Sequence, residues 1–168
     1  MSSTPNPIVG DIPTKYRPFI IGPNSDKEFD ALRGRLPGLR AHLPFNSISM
    51  RRTPCFGTCP VYEIAFHRDG RAELYALAHL PKLGHFVGQV EESDYARLCH
   101  LVESSRFSGF RSSYRARHTD DSTCIVTVTT GDTSTKVSDY GSVGPTQLWA
   151  IQQAIDAVKN DIEWRIAK

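Results

Sequence analysis

The feature that most restricts how this chain can fold is Pro54-Cys55-Phe56-Gly57-Thr58-Cys59-Pro60, two cysteines, two prolines and a glycine within seven positions. It lies between two segments that read as β-strands. Four residues fully extended span about 13 Å, whereas disulfide-bonded Cα atoms lie roughly 4.4–6.8 Å apart. Cys55 and Cys59 therefore approach each other only if the chain folds back between them. Pro54 and Pro60 fix φ on either side, and Gly57 is the residue able to take positive φ at the reversal. The expectation is a tight, stiff turn with a sulfur on each arm. Three readings of those sulfurs stay open. The first is a structural knuckle, either of packed thiols or of a short-loop disulfide. The second is a redox pair, although the spacing is Cys-x3-Cys and no helix clearly follows to lower a thiol pKa. The third is a metal site, although zinc usually takes four ligands and this motif places two.

Extended through Val61-Tyr62, and followed by an alternating strand and the Asp69-Gly70 turn, this stretch resembles the signature of a bacterial family catalogued as a domain of unknown function, number 6438. The cysteine motif carries the likeness, and strand and helix spacing extend it over about residues 47–164. It implies a small bacterial module with no established catalytic activity; no cofactor or metal is expected.

At 168 residues the chain fits one domain large enough to bury a core without staples. Its net charge of +2 argues against a nonspecific nucleic-acid binder, which carries a much larger basic excess. No apolar run approaches a membrane span. Met1-Ser2-Ser3-Thr4-Pro5-Asn6-Pro7 has neither a basic n-region nor an apolar h-region, so a cytoplasmic location is expected. There, cysteines are thiols by default.

Residues 1–45 read as an arm with one short helix. Ser25 and Glu28 have capping-box spacing, Phe29, Leu32 and Leu36 recur at helical intervals, and Pro37-Gly38 ends the pattern. From Ser47 the period becomes two. Ile48 and Met50 mark a strand entering the cysteine turn, and Tyr62, Ile64 and Phe66 mark the strand leaving it. Asp69-Gly70 signals a hairpin to the strand at residues 71–77, and residues 84–90 make a fourth. Tyr95, Leu98, Leu101 and Val102 form the stripe of a helix over residues 94–104, which makes Cys99 a buried small hydrophobe and His100 a surface residue. Phe107, Phe110 and Tyr114 lie in an irregular segment that closes one end of the core. Residues 122–130, dense in Thr, Ile and Val, form the strongest strand. Gly131-Asp132 turns it into a more polar strand at residues 133–140, expected at an edge. Pro145 starts a last helix carrying Leu148, Ile151, Ile155, Val158 and Ile162. The fold class is α+β: residues 46–168 form one domain whose mainly antiparallel sheet, a four-strand meander and then a hairpin, is covered by two or three helices.

Phosphate-binding glycine loops, the G-x-S-x-G elbow and paired-histidine metal motifs do not occur in the sequence. One further constellation stands out, the polar loop carrying Arg115, Arg117, His118, Asp120 and Asp121. It has the parts of an anion clamp with a carboxylate base, or of a solvated loop whose charges pair locally. The leading functional expectation is a non-enzymatic domain, of inhibitor or immunity type, that binds another protein. The alternative is thiol-redox or metal chemistry at Cys55 and Cys59. Neither a membrane nor a nucleic acid is an expected partner.

Overall fold

The computed structural model describes residues 43–168. Residues 1–42 of the expected arm, with its helix over residues 25–36, fall outside the described residues. All described residues belong to one compact unit.

Period-two alternation produces β1 (Ser47–Arg52), β2 (Val61–His67), β3 (Arg71–Ala78) and β4 (Gly84–Gln89), joined antiparallel in chain order. Helix α1 (Glu92–Ser104) and a 3₁₀ turn at Phe107–Gly109 follow, then β5 (Ser113–Arg115), β6 (Thr123–Thr130), β7 (Thr133–Tyr140), helix α2 (Thr146–Asp161) and β8 (Arg165–Ile166). The eight strands form one sheet in the order β5-β7-β6-β1-β2-β3-β4-β8. Every pairing is antiparallel except β5 with β7. The β6–β7 hairpin thus docks on β1 and makes the first strand of the meander a central one. Its two-residue loop has Gly131 at φ 55°, the left-handed backbone that glycine takes without a Cβ penalty.

Two expectations need correction. Strand β7 is not the outermost strand, because β5 pairs with its last three residues, Ser138–Tyr140, while among the described residues no strand pairs with the outer side of residues 133–137. The residues of β5 fall in the segment read as irregular; three residues are too few to show an alternation. The two-residue β8, which forms the opposite edge, escapes detection for the same reason.

Helices α1 and α2 contact each other and cover one face of the sheet. Ile48, Met50, Ile64, Phe66, Val126 and Val128 point into that layer and are buried with Tyr95, Leu98, Cys99 and Val102 of α1 and Leu148, Ile151 and Ile155 of α2. His100 faces solvent. The alternate residues Ser49, Ala65, Glu73 and Thr127 lie on the other face and are only partly buried. Of the two tryptophans, Trp149 is 53% exposed, while Trp164 packs against the core and donates its indole N–H to the Lys159 carbonyl at 2.9 Å.

One buried carboxylate fixes how α2 joins the sheet. Asp139 of β7, 2% exposed, accepts the backbone N–H groups of Val143 and Gly144 at 3.0 and 2.9 Å and the Gln152 amide at 3.1 Å. These bonds meet the desolvation cost of the carboxylate and hold the β7–α2 connection.

Gly88 marks the closest approach of the segment after α2 to the sheet. A Cβ there would lie 2.5 Å from the Ile162 Cγ2 and 3.2 Å from the Glu163 carbonyl oxygen. Gly88→Ala is expected to cost about 1–3 kcal/mol by overpacking, read as a lower urea midpoint at an unchanged m-value.

Candidate functional site

The adjacent arginines at the end of β1 point to opposite faces, as strand geometry requires. On the open face, the Arg51 guanidinium donates to Glu63 Oε2 at 2.7 and 2.9 Å. On the helix side, Arg52 donates from Nε to the Tyr62 hydroxyl at 2.9 Å and from Nη2 to Asp156 Oδ2 at 2.7 Å. The Tyr62 hydroxyl donates in turn to Asp156 Oδ1. Lys159 completes the group, its ammonium 3.1 Å from Asp156 Oδ1 and 4.4 Å above the Tyr62 ring. The side chains of Arg52, Asp156 and Lys159 are 16%, 22% and 14% exposed, so the charges lie largely out of water. Two strands and a helix are thereby tied together at the stem of the cysteine turn.

Between these stems, Cys55 and Cys59 form a disulfide with Cα atoms 5.7 Å apart. The turn is pinned at its base by Thr53, whose N–H donates to the Thr123 carbonyl at 3.0 Å and whose hydroxyl accepts the Thr123 N–H at 2.9 Å. Gly57 does not take the positive φ expected of it, and a Cβ there would make only ordinary contact with Cys55 Sγ at 3.8 Å. The reversal is made without a left-handed residue in the turn. The Gly57 N–H instead donates to Cys55 Sγ at 3.3 Å. Pro54 and Pro60 flank the turn on its exposed surface, and Phe56 at its tip is 89% exposed.

The polar loop lies against this turn. Asp120 takes φ 72°, and its carbonyl accepts the Phe56 N–H at 3.3 Å. His118 Nε2 and Asp121 Oδ2 are 3.0 Å apart, and the Asp121 N–H donates to the Tyr140 hydroxyl at 3.2 Å. Arg115, on β5, stacks 5.0 Å over the Tyr140 ring, and Arg117 is exposed. The His118 hydrogen bond, with a second from the Ser122 N–H, holds the Asp121 carboxyl below its usual value. The sequence nominated turn and loop separately, and the structure makes them neighbours at one end of the sheet.

Asp156, Lys159 and Arg52 had no nominated role. Gln152, Asp156 and Lys159 fall four and three apart along α2, beside the apolar stripe. Polar residues at core-facing helical spacing are the signal that would have found them.

The environment sets the protonation states. Burial, reinforced by the hydrogen bond to Asp156, raises the Tyr62 phenol well above its ordinary range, so it remains a donor. Burial alone would raise the Asp156 carboxyl, but the Tyr62 hydrogen bond and the charges of Arg52 and Lys159 outweigh it and hold the carboxyl below its usual 3.8. Burial pushes the free thiols of Cys99 and Cys124 up to about 11 and about 12, so both stay protonated near neutrality. Among the described residues no group of three or more His, Cys, Asp or Glu side chains is placed to hold a metal ion. A cleft of about 640 Å³ lies elsewhere, between Arg71, Glu91, Asp94, Asp161 and Arg165, and none of the turn or loop residues lines it. No helix among the described residues is long and apolar enough to cross a membrane.

The depressed pKa of Asp156 fixes the sign of a pH effect. Its contribution to stability is complete above the unfolded value of 3.8 and is lost as pH falls through the folded one. At pH 7, Asp156→Asn is expected to cost about 2–4 kcal/mol by leaving two cations uncompensated. In urea unfolding the gap from the unsubstituted protein should narrow below about pH 4; a gap constant from pH 7 to 2 would contradict the assignment.

The sequence model of a family described as a domain of unknown function (DUF6438) matches residues 46–159, which take in the turn, the polar loop, Asp156 and Lys159. A search of curated proteins returned no match.

Proposed function

The chain belongs to the DUF6438 family, and from that premise we propose that it is a non-enzymatic binding module that engages another protein through its disulfide-closed turn. One observation carries the reading: Phe56 is 89% exposed at the tip of a loop that is cross-linked and anchored at its stem. Exposing a phenylalanine in water is unfavourable by about 1.5–3 kcal/mol relative to burying it. A rigid aromatic anchor recovers that energy on a partner while losing little further conformational entropy. The adjacent polar side chains of Arg117, His118 and Asp121 supply the polar rim such contacts use.

The test is a photo-cross-linking residue placed at position 56 or, as a control, at position 132 on the tip of the β6–β7 loop, in the full chain inside its native cells. A discrete protein adduct is expected from position 56 and not from 132. With cross-linking repeated in a lysate of those cells, an excess of purified protein should suppress that adduct, and Phe56→Ala protein should do so at least about tenfold less well. Adduct patterns identical at the two positions would end this reading.

Thiol exchange is a second reading, favoured by the Gly57 N–H directed at Cys55 Sγ, which would stabilise a Cys55 thiolate once the bond is reduced. The cytoplasmic location expected from the sequence would keep that bond open, whereas an oxidising compartment would keep it closed. Alkylation of the reduced protein across pH separates the two readings: redox chemistry requires Cys55 to react with a midpoint well below about 8.5, the value of an unperturbed thiol.

A further inference from the structure

We propose that a groove on the helix-covered side of the sheet binds a free long-chain carboxylate, with the alkyl chain on the groove floor and the head group between Lys82 and Lys159. Apart from Lys159, its lining residues lie outside the cysteine turn and its stem, and the site does not depend on the binding role given to Phe56. The groove has a volume of about 520 Å³, within the roughly 300–1,000 Å³ usual for small-molecule sites. Its floor is Leu74 of β3 and Phe86 of β4, and Leu80, Trp164 and Ile166 form its apolar walls. Ile166 stands opposite Phe86 in the β4–β8 register and is 78% exposed, so the apolar floor continues past the end of α2 at Asp161.

The charges choose the head group. Among the described residues, Lys82 and Lys159 are the charged side chains that line the groove, and no carboxylate lines it. Lys159 is paired with Asp156, but that carboxylate is shared with Arg52, so the cluster keeps one uncompensated positive charge. Lys82 adds another. A monoanionic head group reduces that excess, while a neutral one leaves it in place beside the apolar surface. The 640 Å³ cleft has the opposite character, with five carboxylates against two arginines along its lining, and would repel the same ligand.

Trp164 reports on the groove. In the full chain carrying Trp149→Phe it is the sole tryptophan, since the sequence has two. Titration with monomeric dodecanoate, below its micelle concentration, is expected to give a saturable change in Trp164 emission. Butanoate and dodecanol should each bind at least about tenfold more weakly, the first for want of apolar area and the second for want of charge. Lys82→Gln should weaken dodecanoate about fivefold. Ile166→Glu, which puts a carboxylate on the apolar rim, should abolish the response at the same concentrations; both substitutions are at exposed positions. The proposal is overturned if no saturable change occurs, if dodecanol binds as tightly as dodecanoate, or if neither substitution alters binding. A response to vesicles containing phosphatidylglycerol without one to monomeric dodecanoate would overturn it in favour of a lipid surface.

Discussion

A single carboxylate, that of Asp156, makes the rest of this arrangement tolerable. Arg52 and Lys159 are both largely withdrawn from water, and two like charges so placed would repel and be poorly solvated without it. With it, Arg52 has a hydrogen-bonded counter-charge and Lys159 an ion-pair partner in the same carboxylate, to which the Tyr62 hydroxyl also donates. The bonds run from α2 to β1 and β2, the strands on either side of the cysteine turn. Replacing such a group by apolar residues of equal volume is often neutral for stability, so its value here is positional. It fixes where the helix crosses the sheet and therefore where the turn emerges.

The turn is consequently held from both sides. Beneath it stands the ion-pair group, and beside it stand Thr53, Thr123 and the Asp120 carbonyl. Adjacent residues at the end of β1 serve different surfaces: Arg51 pairs with Glu63 in the open, while Arg52 reaches the covered layer. A one-residue slip of β1 against β2 would exchange these roles and expel the buried guanidinium. The charges thus reinforce the register that the alternation of Ile48 and Met50 already specifies.

Long periodic elements were legible in the sequence, and contacts between distant elements were not. The meander, the β6–β7 hairpin and both described helices follow from alternation, turn residues and helical stripes, because each signal is local and repeated. Strands β5 and β8 are too short to repeat anything, and the edge status assigned to β7 fails over Ser138–Tyr140, where β5 pairs with it. Of the candidate site, the reversal at Cys55 and Cys59 followed from chain geometry, although the backbone freedom assigned to Gly57 is not used there. The meeting of turn and polar loop depends on β6 pairing with β1, a contact across some seventy residues, as between Thr53 and Thr123. Nothing near either segment announces that pairing. Asp156 was hidden for a related reason: its partners Arg52 and Tyr62 lie about a hundred residues away, and only its spacing from Gln152 and Lys159 hinted that it faced inward.

The disulfide has a smaller and more local part than its prominence in the sequence suggests. Closing so short a loop removes only about 2 kcal/mol of unfolded-state entropy, comparable to one or two of the hydrogen bonds at the stem. The stem bonds at Thr53 and the ion pairs at Arg52 do not pass through the sulfurs, so opening the bond leaves the sheet end in place. What it frees is Phe56, Gly57 and Thr58, whose one backbone tie to the neighbouring loop is the 3.3 Å bond from the Phe56 N–H to Asp120. The cross-link therefore acts on how narrowly Phe56 is presented more than on whether the domain folds. That division separates the group that builds the site, Asp156 and its three partners, from the bond that sets the site's rigidity.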